Sequence, residues 1–268
     1  MIESQDQPPA DDFIGMGQVE EAVRAVGGRR IDALLINIGG NDAGFSGVLE
    51  NLLREDNVFT ANKQSDPDAV KDNLDRLIGV GLPLGEHGQI ENDLEALRGL
   101  VVRNLNPRAV YLSGYPVALF DVTEVDATDP SRRVIGFQAC GLFQARGLKI
   151  DQLDYELIVH YGTELNALLK HKAHDFTIIE DAAPWLFIDV AADFVGRGYC
   201  DRNSLWVGAE SSCLQQGDFD GTMHPNRDGH GLWALRFVEA LRQHTVRPLR
   251  LPPDGSTRPD DPGEVRPA

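Results

Sequence analysis

Apolar positions along the chain follow two rhythms. Over residues 18–26, Val19, Ala22, Val23 and Val26 recur at helical spacing, and Gly27-Gly28 supplies a stop. The run Ile31-Asp32-Ala33-Leu34-Leu35-Ile36-Asn37-Ile38 is instead short, nearly all apolar and closed by glycine. That pattern predicts a strand buried on both faces of a parallel sheet. Residues 48–54 read as a short helix, and 66–78 as a longer one opened by Ser65-Asp66-Pro67-Asp68. The glycine-rich stretch 79–88 reads as a loop. Ile90, Leu94, Leu97, Val101 and Leu105 share one helical face, and Asn106-Pro107 ends that helix. A second buried strand is expected over 109–112, running into the turn Ser113-Gly114-Tyr115-Pro116.

Residues 120–149 show no sustained period and read as an irregular excursion. A long helix is expected over 151–170, with Leu153, Leu157, Tyr161, Leu165 and Leu168 inward, and a third strand over 176–179. Residues 193–223 are rich in Gly, Asp, Ser and aromatic side chains, which suits a long site-forming loop. A last helix is expected over 229–241. Helix, strand and glycine loop in alternation describe a wound α/β protein with a parallel sheet. The expected organisation is a flexible lead-in over 1–13, one α/β domain over 14–247, and a disordered tail over 248–268 dominated by Pro, Asp and Gly.

Composition narrows the function classes. The 268 residues are enough for one large domain with a buried core. The formal charge is −17, a field that repels phosphate backbones and anionic lipid surfaces and argues against a nucleic-acid or membrane-surface role. No apolar run approaches the roughly 18 residues of a membrane-spanning helix. The N-terminal residues are polar and acidic, unlike a secretory signal. Three cysteines fit no metal-binding pattern. Cys200 and Cys213 are able to close one loop in an oxidising compartment; two free thiols are the alternative.

Two segments carry candidate chemistry. Gly39-Gly40-Asn41-Asp42 follows the first predicted strand, at the strand end where wound α/β proteins bind ligands. Its glycines permit close backbone approach, and the Asn41 amide can donate to the oxyanion of a tetrahedral acyl intermediate. The alternative is a glycine turn with an Asx cap on the next helix. The second segment is Asp220-Gly221-Thr222-Met223-His224-Pro225-Asn226, followed by Gly229-His230. A histidine before a Pro-Asn turn sits on a stiff loop, where it can act as a general base; a solvated loop histidine is the alternative. His230 reads as a packing or capping residue.

Together, and in this order, the two segments resemble blocks of the SGNH/GDSL hydrolases, a family of esterases, lipases and carbohydrate esterases. Gly39-Gly40-Asn41-Asp42 is similar to the family's Gly-x-Asn-Asp block, and residues 221–230 to its C-terminal histidine block. The resemblance spans roughly residues 17–243. It implies a flavodoxin-like three-layer α/β/α fold, a serine ester hydrolase without cofactor, His224 as general base, and Asn41 with Gly39 in the oxyanion hole. It also implies an exported enzyme, although this N-terminus carries no export signal. Lipid, carbohydrate and small esters all remain open as substrates.

The chain departs from the family in three places. It has no Gly-Asp-Ser block and no counterpart of the glycine block that follows, so the expectation is a domain incomplete at its N-terminus whose exposed sheet edge promotes self-association. Ser113, Ser46, Ser211 and Ser212 lack a strand-to-helix elbow and read as structural or loop residues. Finally, Gly221 stands where the family often has the histidine-orienting aspartate. Asp220, Asp218 or a backbone carbonyl then takes that role. Two other readings compete: a catalytically inactive ester- or carbohydrate-binding module, and a metal site built from Asp218, Asp220, His224, Asp228 and His230, whose spacing matches no standard pattern.

Overall fold

The computed structural model describes residues 16–40, 67–83, 86–117, 119, 124–125, 133–134, 152–179, 183–199, 201, 203–208, 211–212, 214 and 224–245. The proposed lead-in, the helix at 48–54 and the tail lie outside these residues, as do Asn41, Cys200, Cys213, Asp218 and Asp220.

Among the described residues three parallel strands form the sheet, in the order β1-β2-β5: β1 is Leu34–Ile36, β2 is Val110–Ser113 and β5 is Trp185–Ile188. Leu34 pairs with Val110, and Val110 in turn with Trp185. Parallel neighbours require crossover connections, and here these carry helices. α1 (Met16–Val26) precedes β1; α2 (Pro67–Ile78) and α3 (Gln89–Asn104) separate β1 from β2; α4 (Gln152–Thr177) separates β2 from β5. α5 (Arg227–Thr245) follows β5. Within the 120–149 excursion, Glu124–Val125 (β3) and Arg133–Val134 (β4) form a short antiparallel pair.

Alternation along the strands sorts the core into two layers. Val110 and Leu112 point to the face covered by α1–α4, where they meet Val19, Leu74, Leu94, Val101, Leu165 and Leu169. Ala109, Tyr111 and Ile188 point to the opposite face and pack against Trp233, Phe237, Ala240 and Leu241 of α5. Helices on both faces of a parallel sheet make the three-layer α/β/α architecture that the resemblance implies.

Two polar ties brace the thicker layer. Lys172 of α4 is nearly enclosed and is held by Glu91 at 3.2 Å and Glu95 at 2.6 Å, both on α3. Burial alone lowers the Lys172 pKa, but the hydrogen bonds to Glu95 and Glu91 outweigh it and the pKa rises. Tyr161 of α4 donates to the Asp75 carboxylate of α2 at 2.8 Å; burial and then that bond push the phenol pKa upward.

Two expectations need correction. Residues 176–179 are not a strand: Phe176 and Thr177 form the last turn of α4, and Ile178 and Ile179 are exposed. Phe176 continues the inward stripe of Ile158, Tyr161, Leu165, Leu169 and Ala173. The third strand lies instead at Trp185–Ile188. β2 is enclosed on both faces, but β1 is not. Leu35 is 51% exposed, because α5 covers β2 and β5 on that face, and among the described residues β1 pairs with β2 alone.

Candidate active site

The carboxyl ends of β1 and β2 bring the glycine turn and the Ser113-Tyr115 turn together. Gly39 and Gly40 are both buried. Gly39 has φ +104°, in the left-handed region that favours glycine, and its α-carbon faces Leu165 and Ile90. Gly40 lies against the Tyr115 ring so closely that a β-carbon there would sit 2.8 Å from it. The Gly40 N–H donates to Tyr115 Oη at 3.0 Å.

Tyr115 is itself clamped. Its backbone N–H donates to Asn166 Oδ1 at 2.7 Å, and its carbonyl accepts from Asn166 Nδ2 at 2.7 Å. Asn166 lies on α4, so the long helix behind the sheet fixes the turn in front of it. Gly114 allows this approach, because a β-carbon there would meet both Phe187 and Asn166.

Ser113 ends β2 with its side chain fully buried. Its hydroxyl accepts from Trp233 Nε1 and donates to the Gly114 carbonyl at 2.9 Å. Both bonds face inward, so this serine joins α5 to the sheet.

The His-Pro-Asn segment is organised around Asn226. The Asn226 side-chain oxygen accepts the N–H groups of Asp228 and Gly229, each at 3.0 Å, which caps α5. Its amide donates to the Ser204 carbonyl at 2.7 Å. One side chain thus joins the helix start to the 204–206 loop. Pro225 pairs with Trp206 in an antiparallel bridge, and the Val207 N–H donates to the His224 carbonyl at 2.8 Å. The His224 backbone is therefore fixed while its side chain is exposed. His230 is exposed within the first turns of α5, and its N–H bonds the Asn226 carbonyl at 2.8 Å.

An aromatic chain links the two segments. Tyr115 meets Trp233 edge-on with centroids 6.2 Å apart; Trp233 meets Phe194 at 6.4 Å, and Phe194 meets Trp206 at 5.1 Å. From the Gly40 N–H to the strand pairing beside His224, the contact path is continuous. Phe194 belongs to the 3₁₀ turn Ala191–Phe194, which Asp193 ties to α5 by a paired bond to Arg236 at 2.7 and 2.5 Å. The Arg236 bond, with its nearby charge, holds the Asp193 carboxyl below the usual range despite partial burial.

Sequence reasoning singled out Gly39 and His224, both placed here, but not Tyr115, Asn166, Trp206 or Trp233. The only available signal was the Gly114-Tyr115-Pro116 turn at a strand end. Among the described residues no group of three His, Cys, Asp or Glu side chains is arranged to hold a metal ion. No described helix is long and apolar enough to cross a membrane.

No protein-family model and no curated protein matches the sequence. Solved structures do match the fold. An extracellular lipase from Streptomyces rimosus superposes with a TM-score of 0.51 at 18% identity, covering 78% of this chain and 68% of the lipase. Phospholipase A1 from Streptomyces albidoflavus NA297 superposes with a TM-score of 0.53 at 17% identity, covering 83% of this chain and 75% of the phospholipase. The chain shares the fold of these two enzymes, the α/β/α architecture that the motif resemblance implies.

Proposed function

We propose that the chain is a carboxylic ester hydrolase of the SGNH/GDSL type, acting through a site that pairs the Gly39-Gly40-Asn41 turn with His224. The carrying observation is the continuous path from Gly40 through Tyr115, Trp233, Phe194 and Trp206 to the pairing that fixes His224. It supports one site rather than two unrelated loops. The fold shared with a lipase and a phospholipase A1 favours lipid esters as the substrate class.

In this reading the exposed His224 imidazole takes the proton of an attacking water as its oxygen bonds to the ester carbonyl carbon, and gives that proton to the alkoxide as the carbon–alkoxide bond breaks. The Asn41 amide and the Gly39 turn hold the negative oxygen of the tetrahedral intermediate. Asp218, Asp220 or a backbone carbonyl orients the imidazole. No serine of this chain is assigned as nucleophile; Ser113 has both hydroxyl bonds turned inward.

The test is hydrolysis of p-nitrophenyl esters beside labelling with a fluorophosphonate. The expected result is slow turnover that falls by at least tenfold in His224→Ala and in Asn41→Ala, with no covalent label. Equal rates in wild type and His224→Ala would overturn the proposal. Saturable binding of a non-hydrolysable ester analogue without any turnover would replace it with the binding-module reading.

A further inference from the structure

We infer that Tyr115 is a positioning residue for the Gly39-Gly40 backbone that leads into Asn41, and that Asn166 sets Tyr115. This rests on the ester-hydrolase reading for its catalytic consequence, but its structural half stands without it. The Gly40 N–H belongs to the peptide group immediately before the one that joins Gly40 to Asn41. That N–H is committed to the Tyr115 hydroxyl, 75 residues along the chain. The same ring fills the space a Gly40 side chain would take. The turn is therefore held by a hydrogen bond and by contact from one side chain.

Tyr115 in turn has little freedom. Both of its backbone polar groups are bound by the Asn166 amide at 2.7 Å, a reciprocal pair that fixes where the side chain leaves the backbone. Trp233 stands edge-on to the ring. Asn166 sits one residue after Leu165, which is buried and lies 3.6 Å from a β-carbon built on Gly39. One turn of α4 thus touches the glycine turn directly through Leu165 and indirectly through Asn166 and Tyr115. An oxyanion donor is effective only when held at the place where charge develops, so errors well under an ångström matter. A hydroxyl acceptor on the preceding N–H supplies that constraint without touching substrate.

The experiment uses the full chain and two variants, Tyr115→Phe and Asn166→Asp. Phe keeps the ring and removes only the acceptor; Asp keeps the acceptor for the Tyr115 N–H and removes the donor to its carbonyl. Amide hydrogen exchange of Gly40 is followed by NMR, and hydrolysis of a p-nitrophenyl ester is measured in parallel. Tyr115→Phe is expected to speed Gly40 exchange on the order of tenfold, the size set by one lost hydrogen bond. It is expected to lower kcat by a similar factor with KM unchanged, as loss of a transition-state interaction requires. Asn166→Asp is expected to move both readouts in the same direction. Unchanged Gly40 exchange in Tyr115→Phe would overturn the inference, and so would faster exchange with an unaltered kcat. If the wild type hydrolyses nothing, the ester-hydrolase reading fails, and the exchange data alone decide whether Tyr115 positions the turn. If Tyr115→Phe proves unfolded by circular dichroism, Asn166→Asp decides by the same two readouts.

Discussion

Gly229 lies so close to the Leu205 carbonyl that a β-carbon on it would sit 2.5 Å from that oxygen. This contact lets the first turn of α5 rest against the 204–206 loop, where Asn226 binds the Ser204 carbonyl and its backbone N–H the Leu205 carbonyl. Gly229→Ala forces a methyl group against the Leu205 backbone carbonyl, which has no flexible end to yield. The expected cost is about 1–3 kcal/mol, the usual range for overpacking, read as a lower urea midpoint at unchanged m-value. Because the displaced loop carries the bridge beside His224, ester turnover is expected to fall as well. An unaltered midpoint would show that the helix start moves freely.

Ser113→Ala separates structure from chemistry. The substitution removes the acceptor of the Trp233 indole N–H and leaves that partly buried donor unpaired, which costs about 1–3 kcal/mol. Loss of stability without any change in fluorophosphonate reactivity is expected. A label present in wild type and absent in Ser113→Ala would make Ser113 the nucleophile.

The Asp193–Arg236 pair predicts an acid-side effect. Its largest cause, the bond from Arg236, puts the folded Asp193 pKa below the unfolded value of 3.8. A depressed carboxylate pKa contributes stability that is fully present above the unfolded pKa and is lost as pH falls through the folded one. The contribution is modest, about 1 kcal/mol, because Arg236 is well exposed to solvent. Thermal melts of wild type and Asp193→Asn should therefore differ at pH 6 and draw together only as pH falls from the unfolded Asp193 pKa of 3.8 through the lower folded one. A difference that persists at low pH would assign the effect to packing of the 3₁₀ turn instead.

The uncovered face of β1 predicts self-association. A half-exposed Leu35 on a strand paired on one side, among the described residues, presents an apolar edge. Light scattering is expected to show assemblies that Leu35→Lys reduces. A wild-type protein that is monomeric at high concentration would show that this edge is covered.

Much of the fold was legible because helix and strand leave different periods. Ile90, Leu94, Leu97 and Val101 mark α3 in the sequence and are buried in the structure. The error at 176–179 came from a short apolar run that fits either period. Only the extension of the α4 stripe through Ala173 and Phe176 resolves it. The exposure of one face of β1 was not readable either, since it depends on which helix lies over Leu35. For the site, residue type alone drew attention to Gly39 and His224. Tyr115 and Asn166 act through contacts spanning 75 and 51 residues, and a tyrosine that accepts from a distant backbone N–H leaves no local spacing to read.

The pairing of Leu34 with Val110 and of Ile36 with Leu112 ties sheet and site to a single alignment. A slip of one residue between β1 and β2 would turn Leu35 inward and expel Leu34 and Ile36 from the core. The same slip would carry Gly40 about 3.3 Å along the strand, beyond reach of the Tyr115 hydroxyl. A misaligned chain is then both poorly packed and without its glycine turn, so the alignment that the core selects during folding is also the one that assembles the site.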